Sequence, residues 1–122
     1  MMDFKEFSRL NASRCERWHT DRPWSLSDWA TATAGELGEA CNIIKKMNRN
    51  RDQIIGNDGP ENDSAFMSDC LAEELADTLI YVDLLANAAG IDLESAVIAK
   101  FNKVSEKYRF SERITPRKED AK

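Results

Sequence analysis

The sequence predicts an all-α fold, a four-helix bundle that assembles into an oligomer. Apolar residues recur at three- and four-residue spacing along most of the chain, and no stretch alternates as a half-buried strand does. Two segments repeat one chemical phrase, Glu36-Leu37-Gly38-Glu39 and Glu74-Leu75-Ala76-Asp77, each inside strong helical periodicity. The helices carrying these phrases are apolar on two sides. A bundle of four such helices buries one stripe each, so the second side calls for a partner.

The elements follow in order. Asp3 with Glu6 three residues on has the form of a capping box, after which Phe4, Phe7, Cys15 and Trp18 fall on one side of a first helix that ends before Pro23. Residues 18–24 connect it to a second helix opened by Ser25 and Asp28. Its expected core stripe is Leu26, Ala30, Thr33/Ala34, Leu37, Cys41 and Ile44. From residue 48 to about 67 the chain is rich in Asn, Asp, Gly and Pro and reads as a long surface loop. Asp58 as first ligand of a calcium loop would place Pro60 third and Asp69 twelfth, a poor match to an EF-hand. The third helix is expected over 68–88, with Leu71, Leu75, Thr78, Val82 and Leu85 inward and Gly90 just past its end. Asp92 caps a fourth helix whose buried stripe is Leu93, Val97, Phe101, Val104 and Tyr108. Helices two and three should be antiparallel and central. The domain is read as 1–108, and the charged tail 109–122, with Pro116, as frayed or draped over a partner.

Composition narrows the function classes. With 122 residues the chain is read as one domain, and 42% apolar with 32% charged residues is a globular balance. No uninterrupted apolar run approaches the roughly 18 residues of a membrane helix. Asp3, Lys5 and Glu6 interrupt any signal-peptide start, so the expected compartment is the cytoplasm, or a host's cytoplasm for a phage protein. A net charge of −5 argues against nucleic-acid binding. Cys15, Cys41 and Cys70 lack disulfide or zinc spacing, and the single histidine, His19, excludes Glu-x-x-His di-iron sites and a Ser-His-Asp triad. The scattered glycines form no P-loop.

The acids carry the chemistry. Residues three apart share a helix face, so Glu36 pairs with Glu39 and Glu74 with Asp77. One such pair is ordinarily a solvated face. Here Ala32, Gly35 and Ile43 flank the first pair and Cys70, Tyr81 and Leu84 the second, while small Gly38 and Ala76 permit close helix approach. Four converging carboxylates repel unless a hard cation such as Mg²⁺, with Mn²⁺ as its substitute, sits among them. Asn42, Lys45, Lys46 and Arg49 follow the first pair, and Lys100, Asn102, Lys103 and Lys107 line the fourth helix. With metal nearby these are candidates to hold polyphosphate oxygens. Among Trp18, Trp24 and Trp29, Trp18 is taken as the indole that stacks on a base.

Gly35-Glu36-Leu37-Gly38-Glu39-Ala40, followed by residues 73–81 (Glu-Glu-Leu-Ala-Asp-Thr-Leu-Ile-Tyr) and Gly90-Ile91-Asp92-Leu93-Glu94, resembles the MazG-like all-α nucleoside triphosphate pyrophosphohydrolases over about 25–108. The resemblance implies Mg²⁺-dependent cleavage between the α and β phosphates to a nucleoside monophosphate and pyrophosphate, in dimers or tetramers. It makes Glu36, Glu39, Glu74 and Asp77 the metal ligands. Glu36 or Glu39 would orient the attacking water. Gly35 stands where many members carry a further Glu. Among related substrates a purine, dGTP first, is expected. Phosphoribosyl-ATP pyrophosphohydrolase and a non-catalytic helical dimerisation module are the competing readings.

Overall fold

In a computed structural model the described residues are 2–19 and 21–118. They form four α-helices and no strand: α1 (Phe4–Trp18), α2 (Leu26–Arg51), α3 (Ser64–Ala88) and α4 (Leu93–Lys107), with a short 3-10 turn at Gly59–Asn62 before α3. The helix starts obey local capping chemistry. Asp3 accepts from the Glu6 amide, Ser25 and Asp28 exchange reciprocal bonds of 3.2 and 3.0 Å, and Asp92 accepts from the Ser95 amide at 3.1 Å. Gly90, at φ 70°, ends α3 in the left-handed conformation that a side chain resists, and the Ile91 amide then returns to the Ala86 carbonyl at 2.9 Å.

The loop is shorter than its composition predicts. α2 continues to Arg51, and α3 begins at Ser64 because Asp63 caps it, accepting from the Ala65 and Phe66 amides at 2.9 and 3.2 Å. The intervening residues are laced to the end of α2. Asn57 donates to the Lys46 carbonyl at 2.8 Å, Asn50 donates to the Glu61 carbonyl at 2.7 Å, and Lys46 pairs with the Glu61 carboxylate.

α3 is the hub, packed along most of its length against α2 and more briefly against α1 and α4. α2 and α3 are antiparallel. Trp29 lies opposite Tyr81, and two turns further along α2, and two turns back along α3, Glu36 lies opposite Glu74. α1 is bolted to α3 by a buried polar cluster: Ser8 Oγ donates to Asp83 Oδ1 at 2.8 Å, and Asn11 Nδ2 donates to Asp83 Oδ2 and the Ile80 carbonyl, both at 3.0 Å.

The faces that turn inward correct the expected core. Trp29, Ala40, Met67, Leu84 and Ala86 are buried, whereas the expected stripe of α2 is open, with Leu26, Leu37, Cys41 and Ile44 all exposed. Val97, Phe101, Val104 and Tyr108 of α4 and Leu75 of α3 are exposed as well, while Leu71, Thr78, Val82 and Leu85 are half-buried. Periodicity located genuine apolar faces, but α2 and α3 meet along the neighbouring line that contains the acids.

The tail differs from the expectation of fraying. Residues 109–118 are non-helical and fold back on their own chain: Asn102 and Ile114 exchange two bonds of 2.9 and 2.8 Å, and Arg117 pairs with Asp3 and with Glu94. Residues 119–122 lie outside the described residues. Arg117 thereby ties the first turns of α1 and α4 together and holds the Asp3 carboxyl down to about 2.

Asp83 has the largest leverage on stability. Asp83→Ala strips the acceptor from both Ser8 and Asn11 inside a buried contact, and should lower unfolding free energy by about 2–3 kcal/mol in urea titration.

Candidate active site

Opposed positions on α2 and α3 build the site. Glu36 and Ala40 share the inward line of α2 with Trp29, and the antiparallel register sets Glu36 and Glu39 against Glu74. One oxygen from each of these three carboxylates lies within 4.8 Å of the others. Asp77, one turn beyond Glu74, stands outside that tight set but beside Glu36, whose pKa it helps to raise. The structure therefore brings together three of the four expected ligands and keeps the fourth adjacent.

The electrostatics are those of crowded like charges. Burial first, and then the Glu39 and Glu36 carboxyls, push Glu74 up to about 7. Burial also raises Glu36, followed by the charges of Glu39 and Asp77. The cluster opens to solvent through Glu39, yet Glu74 Oε2 itself is enclosed and has no hydrogen-bond partner. An enclosed carboxylate oxygen without a donor, in a group of three acids, fits a cation: the cluster can bind a metal ion through hard oxygen ligands.

Beside the acids is a cavity of about 160 Å³ bordered by Glu36 and Asp77. Its inner wall is aromatic. Trp29, 5% exposed, packs on Tyr81 at 6.2 Å, on His19 at 5.2 Å and on Trp24 at 4.6 Å between ring centroids. Trp18 is at the rim, 74% exposed, with the Arg14 guanidinium 5.7 Å from its ring centre. Sequence reasoning missed Asn11, Arg14, Trp29 and Tyr81 as cavity residues. Trp29 and Tyr81 carried a usable signal, since they stand two turns before Glu36 and one turn after Asp77 on the acid-bearing lines.

The expected phosphate ligands fare differently. Asn42 is exposed one turn past Glu39. By the 3.6-residue period, Lys45 points to the side of α2 opposite Glu36. Lys46 lies nearer but is held by Glu61. Asn102 spends both ends of its amide on Ile114, and neither it nor Lys100 lines the acid-bordered cavity.

An all-α helical hairpin thus sets Glu36 and Glu39 against Glu74, with Asp77 adjacent, beside an aromatic cavity, a site that can hold a metal ion. Residues 25–110 match the MazG nucleotide pyrophosphohydrolase domain, and the chain belongs to that family. No curated protein matches it. Among the described residues no helix is long and apolar enough to cross a membrane.

The raised Glu74 sets a pH dependence. The unfolded chain releases this proton near 4.5, but the folded protein holds it to about 7. Between those values the folded state binds more protons, so metal-free stability is highest below the window and falls as pH rises through it. Urea midpoints in EDTA should show that decline, and Glu74→Gln should flatten it.

Proposed function

We propose that this protein is a Mg²⁺-dependent nucleoside triphosphate pyrophosphohydrolase, converting a (d)NTP and water to a (d)NMP and diphosphate, with dGTP as the preferred substrate. The observation that carries the reading is the enclosed, unpartnered Glu74 oxygen among Glu36 and Glu39, beside an aromatic cavity that also touches Asp77. Glu36, Glu39 and Glu74 would hold the ion, with Asp77 completing the set. The bound cation would supply charge neutralisation on the triphosphate and a lowered pKa for its water.

The chain's own residues do the rest. Glu36 or Glu39 orients the water and takes its proton as the new P–O bond forms and the bridging bond between α and β phosphates breaks. As a ligand Glu74 would be held ionised, because a ligating carboxylate must be deprotonated. Trp29 and Tyr81 give the cavity an aromatic wall against which a base can pack. An extended exposed apolar face, suited to cover by a second copy, supports a homodimer or homotetramer. The chain exposes 9367 Å², whereas a compact monomer of its 13.9 kDa mass exposes about 6,700 Å². That excess is larger than the roughly 800 Å² each partner contributes to a standard interface. Helical period places Leu26, Leu37 and Ile44 of α2 on the same side of the hairpin as Leu75 of α3, so these residues make one continuous face.

Turnover of a (d)NTP panel with pyrophosphate detection tests the activity. Mg²⁺ should raise the wild-type Tm, and both Asp77→Asn and Glu39→Gln should abolish hydrolysis while melting in EDTA at or above the wild-type temperature. Retained Mg²⁺-dependent turnover in Glu39→Gln would sink the site. For the assembly, Leu37→Glu with Leu75→Glu should convert an oligomeric mass in light scattering to a monomeric one, and a monomeric wild type at micromolar concentration would contradict it.

A further inference from the structure

The bolt between α1 and α3 imposes an orientation that the acids do not require. Asn11 is 4% exposed and lines the cavity bordered by Glu36 and Asp77. Its Nδ2 donates to the Ile80 carbonyl and to Asp83 Oδ2, both at 3.0 Å. A peptide carbonyl can only accept, and Asp83, 2% exposed, already accepts from Ser8 with its other oxygen. Turning the amide over would set Oδ1 against two acceptors. Nδ2 is therefore fixed inward, and Oδ1 is the atom left with capacity for a ligand. Among the described residues nothing donates to it. Three residues on, Arg14 lines the same cavity and presents only donors. The face of α1 thus offers a fixed acceptor and a donor fork about one turn apart.

We propose that Asn11 is a specificity-determining residue that reads the edge of a guanine base, accepting from its 2-amino group while Arg14 donates to O6 and N7. The proposal rests on the nucleotide reading of the cavity. Guanine matches both sides of this wall: O6 and N7 form an edge of two adjacent acceptors suited to a guanidinium, and N1–H with the 2-amino group forms an edge of donors. Adenine would turn its 6-amino donor toward Arg14. Hypoxanthine keeps O6, N7 and N1–H and lacks only the 2-amino group. Asp83 acts through Asn11 as a positioning residue, since with the Ile80 carbonyl it holds the amide without lining the cavity, whereas Ser8 bonds only the other Asp83 oxygen.

The test compares wild type, Asn11→Ala and Ser8→Ala for kcat/KM on dGTP, dITP and dATP with Mg²⁺, and for affinity toward dGMP and dIMP by tryptophan fluorescence, which needs no turnover. Wild type should favour dGTP over dITP by about fivefold, the discrimination expected of one net hydrogen bond. In Asn11→Ala that preference should collapse because dGTP falls and dITP does not. Ser8→Ala loosens the same bolt, so it should lower Tm and keep the preference. Equal treatment of dGTP and dITP by wild type, or an unchanged preference in Asn11→Ala, overturns the assignment. Should Asn11→Ala fail to fold, Asn11→Ser replaces it, and the wild-type comparison still decides. A wild type that binds dGMP over dIMP but hydrolyses no triphosphate sinks the pyrophosphohydrolase reading and leaves Asn11 as the base reader. Hydrolysis that ignores the 2-amino group does the reverse.

Discussion

The antiparallel contact of α2 with α3 sets carboxylates against carboxylates, and the rest of the molecule is organised around that repulsion. Helices that meet along an acidic line gain little from it alone, so the pairing rests on what lies along the same line on either side: Trp29 against Tyr81 at one end, and Ala40 and Met67, both buried, towards the other. These apolar contacts hold Glu36, Glu39 and Glu74 within a few ångströms of one another, and the burial that stabilises the hairpin is also what raises the pKa of Glu74. Binding and stability are coupled as a result. A cation that relieves the repulsion stabilises the folded chain through the same residues that would serve the reaction.

α3 distributes its faces among its neighbours. The side towards α2 carries Glu74, the side towards α1 carries Asp83, and a further side reaches α4. Two acids on one helix thus have opposite roles. Asp83 is enclosed with donors from Ser8 and Asn11, which satisfy it and lock α1 in place. Glu74 Oε2 is enclosed without a donor, which leaves it for a ligand. The distinction between a satisfied enclosed carboxylate and one with an open oxygen lies in this hydrogen-bond accounting, and no feature of the local sequence separates the two.

The cavity draws its wall from three helices. α1 contributes Asn11, Arg14 and Trp18, α2 contributes Trp29 and Glu36, and α3 contributes Asp77 and Tyr81. Because Arg117 ties the tail to the first turns of α1 and α4, and Asn102 clamps Ile114, residues 109–118 brace the frame of the site without lining its cavity.

By itself the sequence determined what short-range chemistry decides. The starts of three helices at Asp3, Ser25 and Asp92, the stop at Gly90 and the placement of each acidic pair on one face all depend on residues within a turn of one another. Asp63 belongs to the same class, and was obscured by the Asn, Asp and Gly residues around it. Tertiary structure alone decided which face of an amphipathic helix turns inward. Leu37 and Ile44 satisfy a core period as well as Trp29 and Ala40 do, and the choice between them depends on the shape of a neighbouring helix remote in sequence. The same holds for Lys46 and Asn102. Their chemistry suits a phosphate, but Glu61 and Ile114 engage them first, because a side chain's partner is set by what the fold brings within reach and not by what its charge would accept.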